Sequence, residues 1–455
     1  MPLSSAAMEK PSHFVAVIGG AVAGAEVASC LAERGIDVAV FEQNPRPYGK
    51  IEDGLPRWHV ALRDKEYQSV GERLSRKGVH FVPNTEIGRD IPFRALVEEW
   101  GFSGVVLACG AWLDRPLPIE GADAYVGKGL IYQNPFIIWF NHSSDADYQG
   151  EHFEPRDGAL VVGGGLASID IAKALMLETT REKLRERGIE ADLVELEVKG
   201  IPKILKRHAL TFEDLGLEGC TLFYRRSDAD MPLMEMPEGA DEKRQEKVRA
   251  GRRKMLAKAM EKYRFKFEEL CAPDGLIVED ERLVGLRFRR TSIEKGRVVL
   301  QDETFERRGV YVISSIGSIP AAIDGIPMRG ELFDFTDWEY GRLADYPTVF
   351  SAGNVVTGKG NIVASRKHAR GVSETVAGAY LGIEDSDGGE SALDVARSEL
   401  RERADKFAAE IATRTPPSPD AHAALTERVR QRQKAVGYPS DLASWLDSVA
   451  PSSAD

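Results

Sequence analysis

The chain has 455 residues, a formal net charge of −12 and four cysteines. This length exceeds what one hydrophobic core organises and predicts two or three domains. The excess of acidic residues argues against general binding to nucleic acid. The cysteines stand singly, so a redox disulfide, a zinc ribbon and a cysteine-ligated iron–sulfur cluster are not expected, and no metal site is predicted.

The chain shows no pattern of a targeting or membrane segment. The stretch before His13 has no apolar core long enough for a signal peptide, and no apolar stretch approaches the length that spans a bilayer. Unpaired thiols are typical of a reducing compartment. The sequence therefore predicts a cytoplasmic protein that does not enter a membrane.

The first predicted unit is a strand, a glycine-rich turn and a helix. The apolar residues 14–18 precede the turn GGAVAG, and apolar positions at helical spacing follow it. In a βαβ unit this turn directs the N–H groups of a helix N-terminus at a pyrophosphate, so Gly19, Ala21 and Gly24 are candidate binding residues. The next strand ends in Glu42, at the spacing where an acid accepts hydrogen bonds from ribose hydroxyls. Ala21 replaces a glycine of the usual fingerprint, and its methyl group narrows the approach to a phosphate.

A second unit of the same kind begins near residue 160. Its turn contains Gly163 and Gly165, and Ser168 replaces the third glycine of the fingerprint. A larger residue at that place spaces the helix from the strand, a pattern often associated with NADP. The following strand ends in Arg225 and Arg226, where a site for NAD would carry an acid. Guanidinium groups pair bidentately with phosphate oxygens, so these residues are predicted to bind a 2′-phosphate.

The order of the predicted strands places the second unit inside the first. Apolar runs predict strands near 14–18, 38–41, 105–108, 160–162 and 221–224, and two further runs lie at 310–313, where the second unit ends, and near 348–354. The last run returns the chain to the first unit, and the residues after 385 form charged helical patterns interrupted by TPPSP. The sequence therefore predicts an α/β fold with two Rossmann-like dinucleotide-binding domains, one inserted into the other, and an α-helical C-terminal tail.

This order of motifs resembles the adrenodoxin-reductase-like ferredoxin–NADP reductases, which are related to the glutamate synthase small subunit among the two-dinucleotide-binding flavoproteins. The resemblance covers roughly residues 14–383. Besides the two turns, it is carried by the segments 49–59, 86–91, 106–111, 119–121, 136–141, 224–226, 315–317 and 353–363. It implies an FAD-binding domain over 12–112 and 318–384, an NADP-binding domain over 113–317 and a helical extension over 385–455.

The resemblance also implies roles for particular residues. FAD is expected to contact residues from several segments, namely Gly19, Ala21, Gly24, Glu42, Gly49, Gly110, Gly353, Asn354, Gly360, Asn361 and Ile362. NADPH is expected at Gly163, Gly165, Ser168, Arg225 and Arg226. His59 matches a histidine near the flavin, or alternatively packs structurally behind Trp58. Glu238, with Glu235 as the alternative, matches an acid that approaches the nicotinamide.

Two further departures from the family pattern accompany Ala21. Leu166 replaces the asparagine usual in the second turn. Asn354 stands where adrenodoxin reductases carry tryptophan and glutamate synthase relatives carry aspartate. Because that position flanks the flavin, the redox potential or the choice of acceptor is expected to differ.

The predicted activity is hydride transfer from NADPH to FAD, followed by transfer of single electrons to a ferredoxin or a similar iron–sulfur or flavin protein. Ferredoxins are acidic, and the basic segment 243–266 is a candidate docking face. The alternative for this segment is a solvated helix with Glu–Lys pairs.

Three other functions stay open from the sequence. The chain could supply electrons as a subunit of a glutamate-synthase-like complex. It could be an NADPH-dependent flavin monooxygenase, which consumes oxygen without a protein acceptor. It could also be a non-catalytic nucleotide-binding protein whose C-terminal tail contacts a partner, since Ala21, Leu166 and Asn354 depart from the family pattern.

Overall fold

The protein is seen in a computed structural model that describes residues 12–234, 236–237, 239–356, 392–439 and 441–451. Over these residues the chain forms β1 (Phe14–Ile18), β2 (Asp37–Phe41), β3 (Val79–Val82), β4 (Gly104–Leu107), β5 (Leu113–Asp114), β6 (Leu130–Tyr132), β7 (Leu160–Gly163), β8 (Thr221–Phe223), β9 (Lys266–Glu268), β10 (Cys271–Glu279), β11 (Arg282–Glu294), β12 (Arg297–Arg308), β13 (Val312–Ser315), β14 (Ser318–Ile319), β15 (Met328–Arg329), β16 (Leu332–Phe333), β17 (Phe335–Asp337), β18 (Arg342–Leu343) and β19 (Val349–Ser351).

The helices are α1 (Val22–Glu33), α2 (Lys50–Asp53), α3 (Val60–Leu74), α4 (Phe93–Glu98), α5 (Gln133–His142), α6 (Leu166–Arg185), α7 (Leu193–Lys199), α8 (Ile201–Arg207), α9 (Glu242–Tyr263), α10 (Ala392–Ala412), α11 (Pro419–Ala435) and α12 (Leu442–Ser448). No helix of the described residues is long and apolar enough to cross a membrane.

The first sheet contains five parallel strands in the order β19-β4-β1-β2-β3. Its central strand β1 is completely buried, because both faces of the sheet are covered. Val15 and Val17 lie in one core with residues of α1, whereas Phe14 and Ala16 lie in a second core that includes Phe93 of α4. From β1 the chain continues to β2 and β3 on one side, and it then crosses to β4 on the other side of β1. The topological switch point therefore lies between β1 and β4, and ligands bind at such points in parallel sheets.

The second sheet repeats this architecture with the order β6-β13-β7-β8-β9, again all parallel. The long helix α6 follows β7 directly and is buried over most of its length. A three-stranded antiparallel sheet, β10-β11-β12, covers the other face and was not predicted from the sequence. Its Phe288 stacks on Phe223 of β8 with ring centroids 4.3 Å apart.

The chain passes between the two sheets twice. The outgoing strand β5 and the returning strand β14 pair antiparallel, with Leu113 opposite Ile319. The first sheet is therefore built from strands that precede the second sheet in the sequence, β1 to β4, and from one strand that follows it, β19. The domain boundaries given above remain a prediction.

The C-terminal helices belong to the core of the first domain. The prediction of a helical tail is confirmed, but the sequence did not show how it packs. Phe407 of α10 lies with its ring centroid 4.9 Å from that of Phe350 in β19. A buried carboxylate also joins the tail to this domain, since Glu26 of α1 accepts hydrogen bonds from Arg401 of α10 at 3.0 Å and from Arg73 of α3 at 2.6 Å. The tail is thus an integral layer of this domain.

Two candidate dinucleotide sites

The first site lies at the carboxyl edge of the first sheet. Gly19 follows β1, Glu42 follows β2, Gly110 follows β4 by three residues and Gly353 follows β19 by two. Parallel strands bring all these ends to one edge. A Cβ placed on Gly353 would lie 2.7 Å from the Cβ of Ala23, so the returning chain reaches the glycine turn.

The glycines of the first turn are required by close backbone contacts. Gly19 has φ +101°, and a Cβ there would lie 2.6 Å from the carbonyl oxygen of Ala108. A Cβ on Gly24 would lie 1.8 Å from the carbonyl oxygen of Gly19. The helix α1 that follows has no side-chain cap at its N-terminus. Its N–H groups are therefore available to an anion such as a pyrophosphate.

The replacement of glycine by Ala21 is accommodated by a glycine elsewhere in the chain. Gly49 has φ +50°, and a Cβ there would lie 3.0 Å from the Cβ of Ala21. The methyl group therefore occupies space that a side chain at position 49 would otherwise need. Gly49 is also the N-cap of α2, so this helix begins beside the turn.

Glu42 is held against the first turn. Its carboxylate accepts hydrogen bonds from the N–H of Gly20 at 2.7 Å and from the N–H of Asn44 at 3.0 Å. Burial raises the pKa of this carboxyl, while these backbone N–H groups act in the opposite direction. A carboxylate fixed at the end of the second strand fits the role of accepting hydrogen bonds from a ribose. The residues of this site therefore fit FAD.

Other predicted FAD residues surround this edge. Gly110 has φ +72°, and Asn354 is exposed within a 3-10 turn over Gly353–Val355. Gly360, Asn361 and Ile362 lie outside the described residues, as do Glu238 and Glu235.

His59 lies where the two domains meet. Burial, together with the charges of Lys173 and Arg63, lowers the pKa of His59 to about 3, so its imidazole is neutral near pH 7. The ring of the preceding Trp58 faces Lys173 of α6, whose Nζ is 4.6 Å from the ring centroid. The same Lys173 donates a hydrogen bond to Glu197 at 2.9 Å. Both interpretations of His59, beside the flavin and packed with Trp58, remain predictions.

A residue whose role the sequence did not reveal positions the segment that carries His59. The Nδ2 of Asn141, on α5, lies 3.1 Å from the carbonyl oxygens of Glu52, Asp53 and Leu55. These carbonyls belong to the end of α2 and the residue after its C-cap, where backbone oxygens lack helical partners. Asn141 belongs to the segment 136–141, which contributes to the family resemblance, but no local sequence pattern indicated which backbone groups its side chain contacts.

The second site lies at the carboxyl edge of the second sheet. A Cβ on Gly163 would lie 2.4 Å from the carbonyl oxygen of Ser315, whereas a Cβ on Gly165 would meet no atom within 4 Å. Gly165 is the N-cap of α6, so the beginning of this helix faces open space. Ser168 is fully buried and donates a hydrogen bond to the carbonyl oxygen of Gly165 at 2.6 Å.

The two arginines of the second site differ. Arg225 is exposed, and within the described part of the chain it forms no ion pair. The guanidinium of Arg226 is engaged, since both Nη atoms donate to the carbonyl oxygen of Gly296 at 3.2 Å and Nε lies 3.7 Å from a carboxylate oxygen of Asp230. Gly296 lies in the turn between β11 and β12, so the unpredicted sheet supports this end of the site. The open position at Gly165 and the exposed guanidinium fit NADPH, and Arg225 is the more available phosphate ligand.

The basic segment 243–266 forms most of α9, and one of its arginines is structural. Arg252 is buried and donates hydrogen bonds to the carbonyl oxygens of Met234 and Ala229. It cannot contact a partner, which corrects its inclusion in the docking segment. The exposed basic residues of the segment include Lys243, Arg244, Lys247, Arg253 and Lys254.

Comparison with known proteins agrees with this geometry. No family model matches the chain. Among solved structures, a variant of FprA from Mycobacterium tuberculosis superposes with a TM-score of 0.60 at 17% identity, covering 93% of this chain and 91% of that one. FprA in complex with NADPH gives a TM-score of 0.58 at 18% identity over the same shares. These likenesses confirm the fold predicted from the sequence.

Curated relatives confirm the predicted resemblance. NADPH:adrenodoxin oxidoreductase of Arabidopsis thaliana is 25% identical over 359 residues, which is 71% of each chain. Cindoxin reductase of Citrobacter braakii is 30% identical over 185 residues, 40% of this chain and 38% of that protein. The glutamate synthase small chain of Bacillus subtilis is 34% identical over 165 residues, 35% of this chain and 32% of that protein. The last two matches thus span less than half of those relatives. The chain resembles adrenodoxin-type reductases and glutamate synthase small chains.

Proposed function

We propose that this protein is an FAD-dependent NADPH oxidoreductase that delivers single electrons to a ferredoxin-like protein. The observation that carries the proposal is the pair of glycine turns at two parallel sheets, one closed by the acid Glu42 and the other flanked by the exposed Arg225. The relatives named NADPH:adrenodoxin oxidoreductase and cindoxin reductase support the same class.

Each side chain has a distinct part in this proposal. When bound, FAD supplies the hydride acceptor and the store from which electrons leave singly. The turn from Gly19 to Gly24 holds the pyrophosphate of FAD, and Glu42 orients its ribose. Arg225 binds the 2′-phosphate of NADPH and so selects it over NADH. His59 stays neutral and adds no positive charge beside the cofactors.

The cysteines do not act as nucleophiles in this proposal. Burial raises the pKa of each thiol to about 12, so all four stay protonated near neutral pH. Thiolate is the reactive form of cysteine. The free thiols are distributed over both domains as Cys30, Cys109, Cys220 and Cys271. The chain's own residues therefore bind and orient the dinucleotides and take no covalent part.

The proposed partner is an acidic electron carrier that docks on α9. Lys247 and Lys254 are exposed, and a spacing of seven residues puts them on one face of the helix. Reversal of both charges should raise the KM for a ferredoxin about tenfold or more at low salt, with less effect at high salt. Lys128→Glu, an exposed site outside α9, is the control. An unchanged KM would remove α9 from the proposal but leave the reductase activity in place.

The decisive test is an anaerobic titration of the purified protein with NADPH and, separately, with NADH. Loss of the oxidised flavin absorption at much lower NADPH than NADH supports both sites and the role assigned to Arg225. A protein that binds flavin but is not reduced by either nucleotide contradicts the proposed activity and favours a nucleotide-binding protein without catalysis.

A second candidate function is supported by the similarity to the glutamate synthase small chain. In that case the chain passes electrons to a large partner enzyme within a stable complex. Co-purification of such a partner with the protein at near-equal stoichiometry would favour this function over a free reductase. The cytoplasm remains the predicted compartment for both functions.

A further inference from the structure

The loop that follows Glu42 lies against the first glycine turn. A Cβ on Gly20 would lie 3.1 Å from the Cβ of Pro47, 3.3 Å from Cε2 of Phe81 and 3.4 Å from a carboxylate oxygen of Glu42. Pro47 and the end of β3, which carries Phe81, therefore flank the turn on the side of β2. A dinucleotide whose ribose meets Glu42 extends its adenine towards this side of the sheet.

The C-terminal helices hold this loop from outside. The Nε1 of Trp445, on α12, donates a hydrogen bond of 2.7 Å to the carbonyl oxygen of Pro45. The Trp445 side chain is only 7% exposed and shares a core with Tyr48 and Ile51. Pro45 and Pro47 have no backbone N–H, so this part of the loop has fewer hydrogen bonds of its own.

The end of β3 is held by the same helices. Gln433 of α11 is buried, and its Nε2 donates to the carbonyl oxygen of Phe81 at 2.7 Å. Arg432 donates to the hydroxyl of Thr85 at 2.9 Å. Thr85 in turn donates its backbone N–H to the carbonyl oxygen of Glu42 at 2.8 Å. A chain of contacts thus joins α11 to the residue that is expected to bind the ribose.

The ring of Tyr438 connects the two groups of contacts. Its centroid lies 5.9 Å from that of Phe81 and 5.9 Å from that of Trp445. The three rings form a continuous apolar layer behind the loop and the end of β3. Rigid aromatic packing of this kind keeps a binding surface in place before the ligand arrives.

We propose that α11 and α12 are the outer support of the adenosine end of the FAD site, and that Trp445 is a positioning residue for the loop after Glu42. This inference rests on the proposed binding of FAD. The helices α11 and α12 take no direct part in the redox reaction of the flavin. They lower the rate at which the loop opens and so slow the release of FAD.

The test compares Trp445→Phe with the native protein. Phenylalanine keeps an aromatic ring but cannot donate to the carbonyl oxygen of Pro45, so the hydrogen bond that joins this loop to α12 is lost. We expect FAD to dissociate about tenfold faster, followed by the rise in fluorescence of the released flavin. Amide hydrogen exchange in residues 43–49 should also become faster, and this readout works on the protein without FAD.

Trp338→Phe is the matched control, because Trp338 is half-buried in the same domain and packs on Phe335 at a centroid distance of 5.2 Å. It should leave FAD release unchanged. The affinity of the second site for NADP⁺, measured by calorimetry, should be unaffected by either substitution. Equal FAD release from Trp445→Phe and the native protein, or faster exchange spread over the whole domain, would overturn the proposal.

The experiment separates this inference from the proposed function. A native protein that binds no FAD contradicts the proposed function. Exchange that increases in residues 43–49 still supports the contact between Trp445 and the loop in that case. If FAD binds but exchange in the loop does not respond to Trp445→Phe, the positioning role is wrong and the reductase proposal stands.

Discussion

The two glycine turns have similar sequences but different surroundings. The first turn is covered by other segments, since a Cβ on Gly20 would lie 3.1 Å from the Cβ of Pro47, one on Gly353 2.7 Å from the Cβ of Ala23 and one on Gly49 3.0 Å from the Cβ of Ala21. In the second turn, a Cβ on Gly163 would lie 2.4 Å from the carbonyl oxygen of Ser315 and one on Gly164 would lie 1.9 Å from Cε2 of Tyr224. This turn is open only at Gly165, the position equivalent to Ala21, where no atom lies within 4 Å of a Cβ position. Glu42 is buried beside the first turn, whereas Arg225 is exposed beside the second.

This difference matches the two kinds of ligand that a reductase needs. A closed site with a buried acid and an outer layer of helices is suited to a cofactor that stays bound. An open site with an exposed cation is suited to a nucleotide that exchanges in every turnover, and its affinity depends on salt. The same local motif is therefore expected to retain FAD in the first domain and to allow NADPH to exchange in the second.

The largest expected effect comes from Gly24→Ala. The new methyl group would lie 1.8 Å from the carbonyl oxygen of Gly19, and a backbone atom cannot move away cheaply. We expect a loss of about 3 kcal/mol or more in the free energy of unfolding, and little bound FAD. Gly165→Ala is the control in the open turn and should change stability by less than about 1 kcal/mol. Thermal unfolding and flavin content measure both; equal losses would show that Gly165 is packed as closely as Gly24.

Removal of the exposed cation should weaken the second site alone. Arg225→Ala should raise the dissociation constant for NADP⁺ about 10- to 100-fold, because a charge-assisted hydrogen bond contributes about 1.5–3 kcal/mol. Arg226→Ala should have a smaller effect, since its guanidinium already donates to Gly296. Calorimetry with NADP⁺ and NAD⁺ at two salt concentrations gives the comparison. If the two variants are equally impaired, Arg226 leaves Gly296 to bind the phosphate.

The free energy of unfolding should depend on pH through His59, which lies where the two domains meet. The unfolded imidazole binds a proton near pH 6.5, whereas in the folded protein its pKa is about 3. The unfolded state therefore holds more protons over this interval, and the free energy of unfolding falls as the pH is lowered through it. From pH 7 to pH 5 this amounts to about 2 kcal/mol. Denaturant unfolding of His59→Gln should show a correspondingly weaker dependence on pH. An unchanged dependence would mean that the imidazole of His59 takes up its proton over the same pH range in the folded and the unfolded protein.

The smallest effect is expected from Ala21→Gly, which restores the usual fingerprint. The unfolded chain gains freedom, whereas glycine is the better residue at the N-cap of α1, so the two effects oppose each other and stability should change by less than about 0.5 kcal/mol. FAD affinity should change by less than about threefold, because Gly49 already provides room for the methyl group. Flavin fluorescence titration measures this affinity. A large gain in affinity would show that Ala21 does restrict the approach to the pyrophosphate.

The elements that the sequence predicted are those set by local patterns. The strand from Phe14 to Ile18 agrees with β1, and the turns lie at the carboxyl ends of β1 and β7 as expected. Glu42 and Arg225 follow their strands at the predicted positions. These features could be predicted because periodicity, glycine and a terminal charge act over a few residues.

The contacts that distinguish the two sites could not be predicted in this way. The hydrogen bond from Trp445 joins residues 400 positions apart. The buried role of Arg252 depends on carbonyl groups in another segment, and that of Asn141 on the end of α2. From the sequence alone, these buried side chains cannot be distinguished from the exposed basic and polar residues beside them.

The sequence by itself determined the two dinucleotide-binding units, their order, the residues of each turn and the helical character of the C-terminal segment. The tertiary structure decided that Gly49 lies beside Ala21 in the first turn whereas the equivalent Gly165 of the second turn is open. It also decided that Arg226 is engaged by Gly296 while Arg225 is exposed, and that the C-terminal helices support the first site. The physical reason is that a turn's conformation follows from its own residues. Its accessibility depends on which distant surfaces the folded chain packs against it.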